Sequence, residues 1–211
     1  YRRQRQMCIR DSCTSHWAEG LCDFIKPSQT SADQIDSQLK KLGYSVSDVD
    51  IVITSHSHLD HIGNIEMFPD AIHVIQKQEL YQAWWPESFQ RGGAHVQADY
   101  DDARDFRYFK MDGDYDLFGD GSVMILSTPG HTLGHQSVKV VLPETGPVIL
   151  AQDAIWMEEN LEGYVAGLNY SIMDWTDSVE RLKMMRDVEK APLWFGHSMK
   201  QYESMGEKWY K

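Results

Sequence analysis

Three histidines and one aspartate lie within six consecutive residues of the chain, at His56, His58, Asp60 and His61. They directly follow the apolar run Ile51–Ile53, which predicts a strand. In extended backbone His56 and His58 point to the same side, and Asp60 and His61 follow on a predicted turn that can face them. Imidazoles and a carboxylate packed this closely are favourable around a cation and costly without one. Any one of these residues alone also fits a polar surface loop, but the whole set predicts a metal site.

Three further predicted strands each end close to a potential metal ligand. In chain order these ligands are His131, Asp153 and His197. Together with the first group they supply five histidines and two aspartates. That set is too large for one tetrahedral zinc, and it suits two metals that share a carboxylate.

The elements that must position these ligands follow from apolar periodicity and turn residues. His73, inside one of the strands, is predicted to be a packed histidine and no ligand. Residues 87–107 show no regular pattern and are predicted to be either a lid over a substrate or a solvated loop. Strands are predicted over 50–54, 72–76, 107–110, 122–127, 136–142, 147–151 and 193–195, and helices from Thr30 or Ser31 to Gly43 and over 63–68, 77–85 and 176–188.

Composition excludes several classes of partner. The chain has 211 residues, of which 42% are hydrophobic, and no apolar run is as long as a membrane span. Its net charge of −12 argues against a nucleic acid or an anionic membrane as partner. The cysteines Cys8, Cys13 and Cys22 suggest neither a disulfide framework nor a thiolate site, so we expect a reducing, cytoplasmic compartment.

The N-terminal residues are predicted to lie outside the fold. Residues 1–6 are basic and polar and do not resemble a signal peptide. Residues 7–12 match the translation of a common sequencing adapter. We therefore interpret residues 1–12 as a sequencing artefact or as disordered, and residues 13–211 as a single domain.

The motif His-x-His-x-Asp-His, followed by a Gly-His, an Asp and a second Gly-His, resembles the metallo-β-lactamase superfamily. Within it, the chain is most similar to the N-acyl-homoserine lactone hydrolases and their butyrolactone-cleaving relatives. The segments that support this likeness are 41–44 (KLGY), 128–137 (TPGHTLGHQS) and 146–148 (GPV). The resemblance implies an α/β fold, a four-layer αββα sandwich whose N-terminal strands are missing here.

The resemblance also implies roles for individual residues. One metal would be held by His56, His58 and His131, and the other by Asp60, His61 and His197, with Asp153 bridging the two. The two divalent ions are expected to be Zn²⁺, because all ligands are nitrogen or oxygen. His135 matches a family position that supports the site without binding metal.

By resemblance, the reaction is the opening of a lactone ring by a metal-bridging hydroxide. Asp60 would carry the proton to the departing ring oxygen, and no serine or cysteine nucleophile is needed. Trp156 stands where many such lactonases have a tyrosine that contacts the substrate carbonyl. Its indole N–H can donate a hydrogen bond but can neither accept one nor ionise. The aromatic residues 81–89 could line the substrate pocket or form a homodimer contact.

Two other functions stay open from the sequence. Another hydrolase of this fold could act on a thioester, an ester or a β-lactam, although β-lactamases generally lack the bridging aspartate that Asp153 supplies. A non-catalytic metal-binding or interaction protein built on the same fold is the alternative from another class. Metal content distinguishes this alternative from an enzyme. About two metals per chain would favour an enzyme, and almost none would favour the alternative.

Overall fold

The structure is a computed structural model that describes residues 20, 23, 30–88, 90 and 94–205. Residues 1–12, predicted to be an artefact, and Phe89 of the aromatic region lie outside the described residues. The described chain divides into two compact units. The first comprises residues up to Ile75 together with Leu80–Lys110, and the second comprises Gln76–Glu79 and Met111 onward. A single domain over residues 13–211 stays a prediction.

The described chain contains both α-helices and β-strands, with a run of consecutive strands between residues 107 and 152. None of its helices is both long enough and apolar enough to span a membrane. Short 3₁₀ helices complete the connections at Ser31–Asp33, Val46–Asp48, Ile65–Met67, Gln97–Asp99, Asp101–Ala103 and Glu158–Glu162. The α-helices are α1 (Ile35–Lys41), α2 (Leu59–Ile62), α3 (Lys77–Trp84), α4 (Ile172–Glu189) and α5 (Met199–Met205). The strands are β1 (Ile51–Ile53), β2 (Ile72–Gln76), β3 (Arg107–Met111), β4 (Tyr115–Asp116), β5 (Val123–Ser127), β6 (Gln136–Leu142), β7 (Gly146–Gln152) and β8 (Leu193–Phe195).

A three-stranded sheet in the order β1-β2-β3 gives the first unit its frame. β1 runs parallel to β2, with Val52 opposite His73. The Thr54 amide donates to the Val74 carbonyl at 3.1 Å, which continues the pairing one residue beyond β1. The chain therefore leaves the sheet at Ser55, directly before the first predicted ligand.

A five-stranded sheet in the order β4-β5-β6-β7-β8 forms the second unit. β6 is antiparallel to both β5 and β7, and β7 is parallel to β8. It follows that β5, β7 and β8 run in the same direction. Their carboxyl ends lie at one edge of the sheet, and each of these ends leads into a predicted ligand.

The core of the second unit packs α4 against this sheet. Ser171 caps the helix, because its Oγ accepts a hydrogen bond from the Asp174 amide at 3.2 Å. Burying a leucine fully, as at Leu182, stabilises a fold by about 1.5–3 kcal/mol. The buried cluster comprises Leu126, Ile149, Ala151, Ala154, Ile155, Ala166, Trp175, Val179, Leu182, Ala191, Leu193 and Phe195.

The structure corrects several expected element boundaries. The first α-helix is capped at Gln34, after a separate 3₁₀ turn, and does not begin at Thr30 or Ser31. The helix expected over 63–68 is replaced by α2, which begins at Leu59, and by a 3₁₀ turn. β4 and α5 have no counterpart among the predicted strands and helices. The two sheets and their helices nevertheless confirm a mixed α/β fold.

Candidate metal centre

The first group of predicted ligands lies where β1 passes into α2. His58 is extended, with φ −72° and ψ 153°, and its carbonyl accepts hydrogen bonds from the amides of His61 and Ile62 at 2.9 and 3.0 Å. Asp60 and His61 therefore lie in the first turn of a helix, where the sequence predicted only a turn. Leu59 and Ile62 are buried and anchor this short helix.

The three imidazoles of this segment contact one another. Nε2 of His56 lies 3.1 Å from Nδ1 of His58, and the rings of His56 and His61 are 4.1 Å apart between centroids. His56 is fully buried. Ring nitrogens at this distance repel through their lone pairs unless they share a proton or a cation. Asp60 adds a carboxylate oxygen 3.4 Å from Nε2 of His61, so the donors fit a divalent cation.

His95 also contacts this group, and sequence reasoning missed it. Its ring lies 4.6 Å from that of His58, and its Nδ1 lies 3.1 Å from Oγ of Ser57. The preceding carbonyl, of Ala94, accepts a hydrogen bond from the Leu59 amide at 2.9 Å. No local pattern could indicate this role, because His95 comes from the irregular segment and meets the motif only through the fold.

The second group lies in the second unit, at the edge where β5, β7 and β8 end. One carboxylate oxygen, Oδ2 of Asp153, is 3.4 Å from Nε2 of His131 and 3.1 Å from Nε2 of His197. The Asp153 side chain is 3% exposed. The structure thus brings these three predicted ligands together around a single buried oxygen.

The backbone at the end of β7 is shaped to present Asp153. Gln152 has φ 51°, and the pairing of β7 with β8 shifts register between Leu150 and Gln152. A left-handed φ costs a non-glycine residue about 1–2 kcal/mol. On β8's side, a Cβ on Gly196 would lie 2.7 Å from both Asp153 Oδ1 and the Gln152 carbonyl oxygen. Only glycine leaves room for the carboxylate at this point.

His135, which lies in neither ligand group, hydrogen-bonds to the backbone of Asp153. Its Nε2 accepts a hydrogen bond from the Asp153 amide at 3.2 Å, so its proton is on Nδ1, which lies 2.9 Å from Oγ1 of Thr128. Thr128 in turn contacts Ser137, whose hydroxyl donates to the Ala151 carbonyl at 3.0 Å. This buried chain of hydrogen bonds joins the ends of β5 and β7 across β6.

A buried carboxylate fixes the loop between His131 and His135. Oε2 of Glu79 accepts a 2.6 Å hydrogen bond from the Thr132 hydroxyl and a 3.2 Å bond from the Gly134 amide. Glu79 and Thr132 are both fully buried. A buried carboxylate is tolerated only when it is hydrogen-bonded, so the loop and the carboxylate stabilise each other.

Trp156 packs its ring against two of the ligands. Its ring centroid lies 5.8 Å from that of His131 and 5.3 Å from that of His197. The Trp156 amide donates to Oδ1 of Asn160 at 2.8 Å, and its carbonyl accepts from the His197 amide at the same distance. Its indole N–H is buried and has no hydrogen-bond partner among the described residues. The indole therefore forms part of the wall around the second group.

His73, by contrast, is a packed histidine, as the sequence predicted. It is fully buried, and its Nε2 donates to the Phe68 carbonyl at 2.9 Å. Burial is the main cause that lowers the pKa of His73, with a smaller contribution from the positive charge of Arg107. Its ring contacts Phe106 and Tyr108.

Comparison with known families identifies the superfamily of the chain. The model of the metallo-β-lactamase superfamily matches residues 24–197. The chain belongs to the metallo-β-lactamase superfamily. The match covers both ligand groups, from His56 to His197, and it agrees with the two sheets and the ligands at their strand ends.

Curated relatives and solved structures narrow the likeness. The chain is 36% identical over 190 residues to the N-acyl homoserine lactonase AttM of Azorhizobium caulinodans, covering 86% of this chain and 70% of that protein. It is 31% identical over 180 residues to the lactonase AiiA of Bacillus thuringiensis subsp. kurstaki, covering 85% and 68%. A solved N-acyl homoserine lactone hydrolase with the product N-hexanoyl-L-homoserine at its catalytic metal centre superposes with a TM-score of 0.72, at 31% identity and 84% and 67% coverage.

These likenesses confirm that this superfamily member is a metallo-hydrolase with N-acyl homoserine lactonases as relatives. They also support the binding of divalent metal and of a small-molecule substrate. A dizinc lactonase, AidC, shares the fold at 21% identity and a TM-score of 0.62. The number and identity of the metals, and the role of each ligand, are proposals developed below.

Proposed function

We propose that the chain opens the lactone ring of N-acyl homoserine lactones, or of a related short γ-lactone, in a metal-dependent hydrolysis. The lactonase relatives support this substrate class. The observation that carries the proposal is the position of Asp153, whose single buried oxygen lies between His131 and His197. A carboxylate held between imidazoles in this way is suited to bridge two cations.

The proposed site holds two divalent ions. His56, His58 and His131 would bind one ion, Asp60, His61 and His197 the other, and Asp153 both. The 3.1 Å contact between His56 and His58 supports this pair as ligands of one ion, and the contacts of Asp153 with both His131 and His197 support its place between the two ions. Zinc is the expected metal, because neutral imidazole and carboxylate are its usual nitrogen and oxygen ligands.

Asp60 is the residue that we propose to move the proton. Divalent cations, when bound, lower the pKa of a water molecule and polarise a carbonyl oxygen. The Asp60 side chain is 26% exposed, against 3% for Asp153, so Asp60 keeps access to a reacting molecule. The attacking water forms a bond to the carbonyl carbon, and its proton passes to Asp60. As the bond between that carbon and the ring oxygen breaks, Asp60 delivers the proton to the ring oxygen.

The deciding experiment measures lactone hydrolysis through the protons that the reaction releases. Opening the ring yields a carboxylic acid, which is fully ionised at neutral pH, so each turnover releases one proton. Substrates should range from γ-butyrolactone to homoserine lactones with butanoyl to dodecanoyl chains, each measured with metal present and after chelation. Chelator-sensitive opening of any of them supports the proposal, and the chain-length profile identifies the preferred substrate.

The outcome that would contradict the proposal is equally specific. Two bound metals per chain without opening of any lactone would leave a hydrolase of another ester, thioester or β-lactam. Absence of bound metal would favour the non-catalytic alternative. A cytoplasmic location and a homodimer remain predictions of the sequence.

A further inference from the structure

The segment before α4 is attached to the loop that carries His131. The Tyr170 amide donates to the carbonyl of His131 at 3.1 Å, and the Ser171 amide donates to the carbonyl of Gly130 at 3.0 Å. The preceding residue, Asn169, places its side-chain oxygen 3.4 Å from Nδ1 of His131. Three consecutive residues therefore hold both the backbone and the ring of one proposed ligand.

The orientation of the Asn169 amide determines what it offers to the ring. Its Nδ2 donates to the Ala166 carbonyl at 3.0 Å, which turns Oδ1 toward His131. An amide oxygen can only accept a hydrogen bond, so Nδ1 of His131 must carry the proton. The lone pair of the neutral ring is then on Nε2, the atom that lies 3.4 Å from Oδ2 of Asp153. A lone pair and a carboxylate oxygen face each other favourably only around a cation or a shared proton.

The backbone before Asn169 is held in an unfavourable conformation. Leu168 has φ 60°, in the left-handed region that non-glycine residues rarely adopt. Leu168 is 69% exposed, so burial of the leucine does not offset this cost. A strained backbone persists where the surrounding structure enforces it, and such positions cluster at ligand sites. Here the enforced turn delivers Asn169 to His131.

We propose that Asn169 is a positioning residue that fixes the tautomer and the ring orientation of His131, so that the lone pair for metal binding is on Nε2. The inference rests on the proposed function, since it requires His131 to be a ligand. It also assigns a role to Asn169, which no sequence motif marks. Outer hydrogen-bond partners of a metal-binding histidine typically contribute 10–100-fold to metal affinity.

Two variants of the full chain separate this role from simple support of the loop. Asn169→Leu removes both the oxygen that faces His131 and the bond to Ala166. Asn169→Asp also loses the donor to Ala166, yet it keeps an oxygen to accept from Nδ1. Loop support alone predicts that both variants behave alike, whereas positioning of His131 predicts that they differ.

The measurement is zinc affinity by competition with a chromophoric chelator, with thermal unfolding of each metal-free variant measured alongside. We expect Asn169→Leu to weaken the affinity of one zinc site by about 10–100-fold. Asn169→Asp should keep the wild-type affinity or exceed it. In the zinc-loaded wild type, the imidazole NMR signal of the His131 Nδ1 proton should be protected from exchange, and Asn169→Leu should lose that protection.

Each other outcome overturns a specific claim. Equal zinc affinity in Asn169→Leu and wild type, or equal loss in the leucine and aspartate variants, overturns the positioning role while leaving the proposed function intact. A wild-type chain that binds no zinc overturns the proposed function, and the inference with it. If Asn169→Leu does not fold, Asn169→Ala removes the same oxygen with less bulk, and the same comparison with Asn169→Asp applies.

Discussion

Replacing Gly196 with alanine tests how tightly the protein holds Asp153. Neither Gly196 nor Gly167 has a positive φ, so both backbones accept an alanine without conformational strain. A Cβ at position 196 would lie 2.7 Å from Asp153 Oδ1 and from the Gln152 carbonyl oxygen, whereas one at position 167 would meet only an atom of Trp156 at 3.9 Å. Gly167→Ala is therefore a matched control.

The expected magnitudes follow from these contacts. Replacing glycine with alanine stabilises a protein by about 0.4–1 kcal/mol through the unfolded chain, and both variants share this gain. Overpacking at Gly196 costs about 1–3 kcal/mol, because the backbone carbonyl of Gln152 cannot move aside freely. The two variants should thus differ by about 1–3 kcal/mol, or about 2–12 °C in Tm at 2–4 °C per kcal/mol for a chain of this size.

Thermal unfolding of both variants, with and without zinc, measures this difference. Metal-free Gly167→Ala should unfold at or above the wild-type Tm, and Gly196→Ala below it. Because the clash displaces Asp153, zinc should also raise the Tm of Gly196→Ala less than that of wild type. If Gly196→Ala proved as stable as Gly167→Ala, the close approach of Gly196 to Asp153 would be refuted.

Three further predictions concern single side chains. Asp60→Asn should keep most of the bound metal but lose about 10²–10⁴-fold in kcat, measured by proton release, because it cannot carry the proton; near-normal turnover would exclude that role. Thr132→Val should lower the free energy of unfolding, measured in urea, by about 1–3 kcal/mol, because it removes a hydrogen-bond donor from the buried Glu79 carboxylate. Thr132→Ser keeps the hydroxyl and should retain most of the wild-type stability. The lowered pKa of His73 means that its contribution to stability is complete above its ordinary pKa of 6.5 and is lost as pH falls through the lowered value. Unfolding free energies should therefore fall less in His73→Gln than in wild type as the medium is acidified, and equal slopes would contradict the assignment.

Much of the fold was predictable because its strands carry strong apolar patterns between turn residues. β2, β6 and β8 have the expected bounds, and β1, β3, β5 and β7 differ by only a residue or two. β4 could not be predicted, since its two residues, Tyr115 and Asp116, are too few to show an alternating apolar pattern. α4 begins earlier than its apolar stripe because Ser171 caps it, which leaves Ile172 and Met173 exposed.

The ligands could be predicted from the sequence, whereas the residues that contact and support them could not. The proposed ligands are histidines and aspartates, residue types that commonly bind metal, and they follow strands at short distances in the sequence. His95 and Asn169 lie in irregular segments. Each is 38 residues away in sequence from the residue that it contacts, which is Ser57 for His95 and His131 for Asn169. Only the folded chain brings such residues together, so no local pattern marks them.

The hydrogen bonds of His135 couple the local opening of two strand ends. The Thr128 amide donates to the carbonyl oxygen of His135 at 2.9 Å, and the Asp153 amide donates to its ring at 3.2 Å. Amide protons exchange with solvent only when such hydrogen bonds open. One residue thus protects the amides at the ends of two strands that are not neighbours in the sheet. In hydrogen exchange, Thr128 and Asp153 should lose protection in a single opening event, as parts of one cooperative unit.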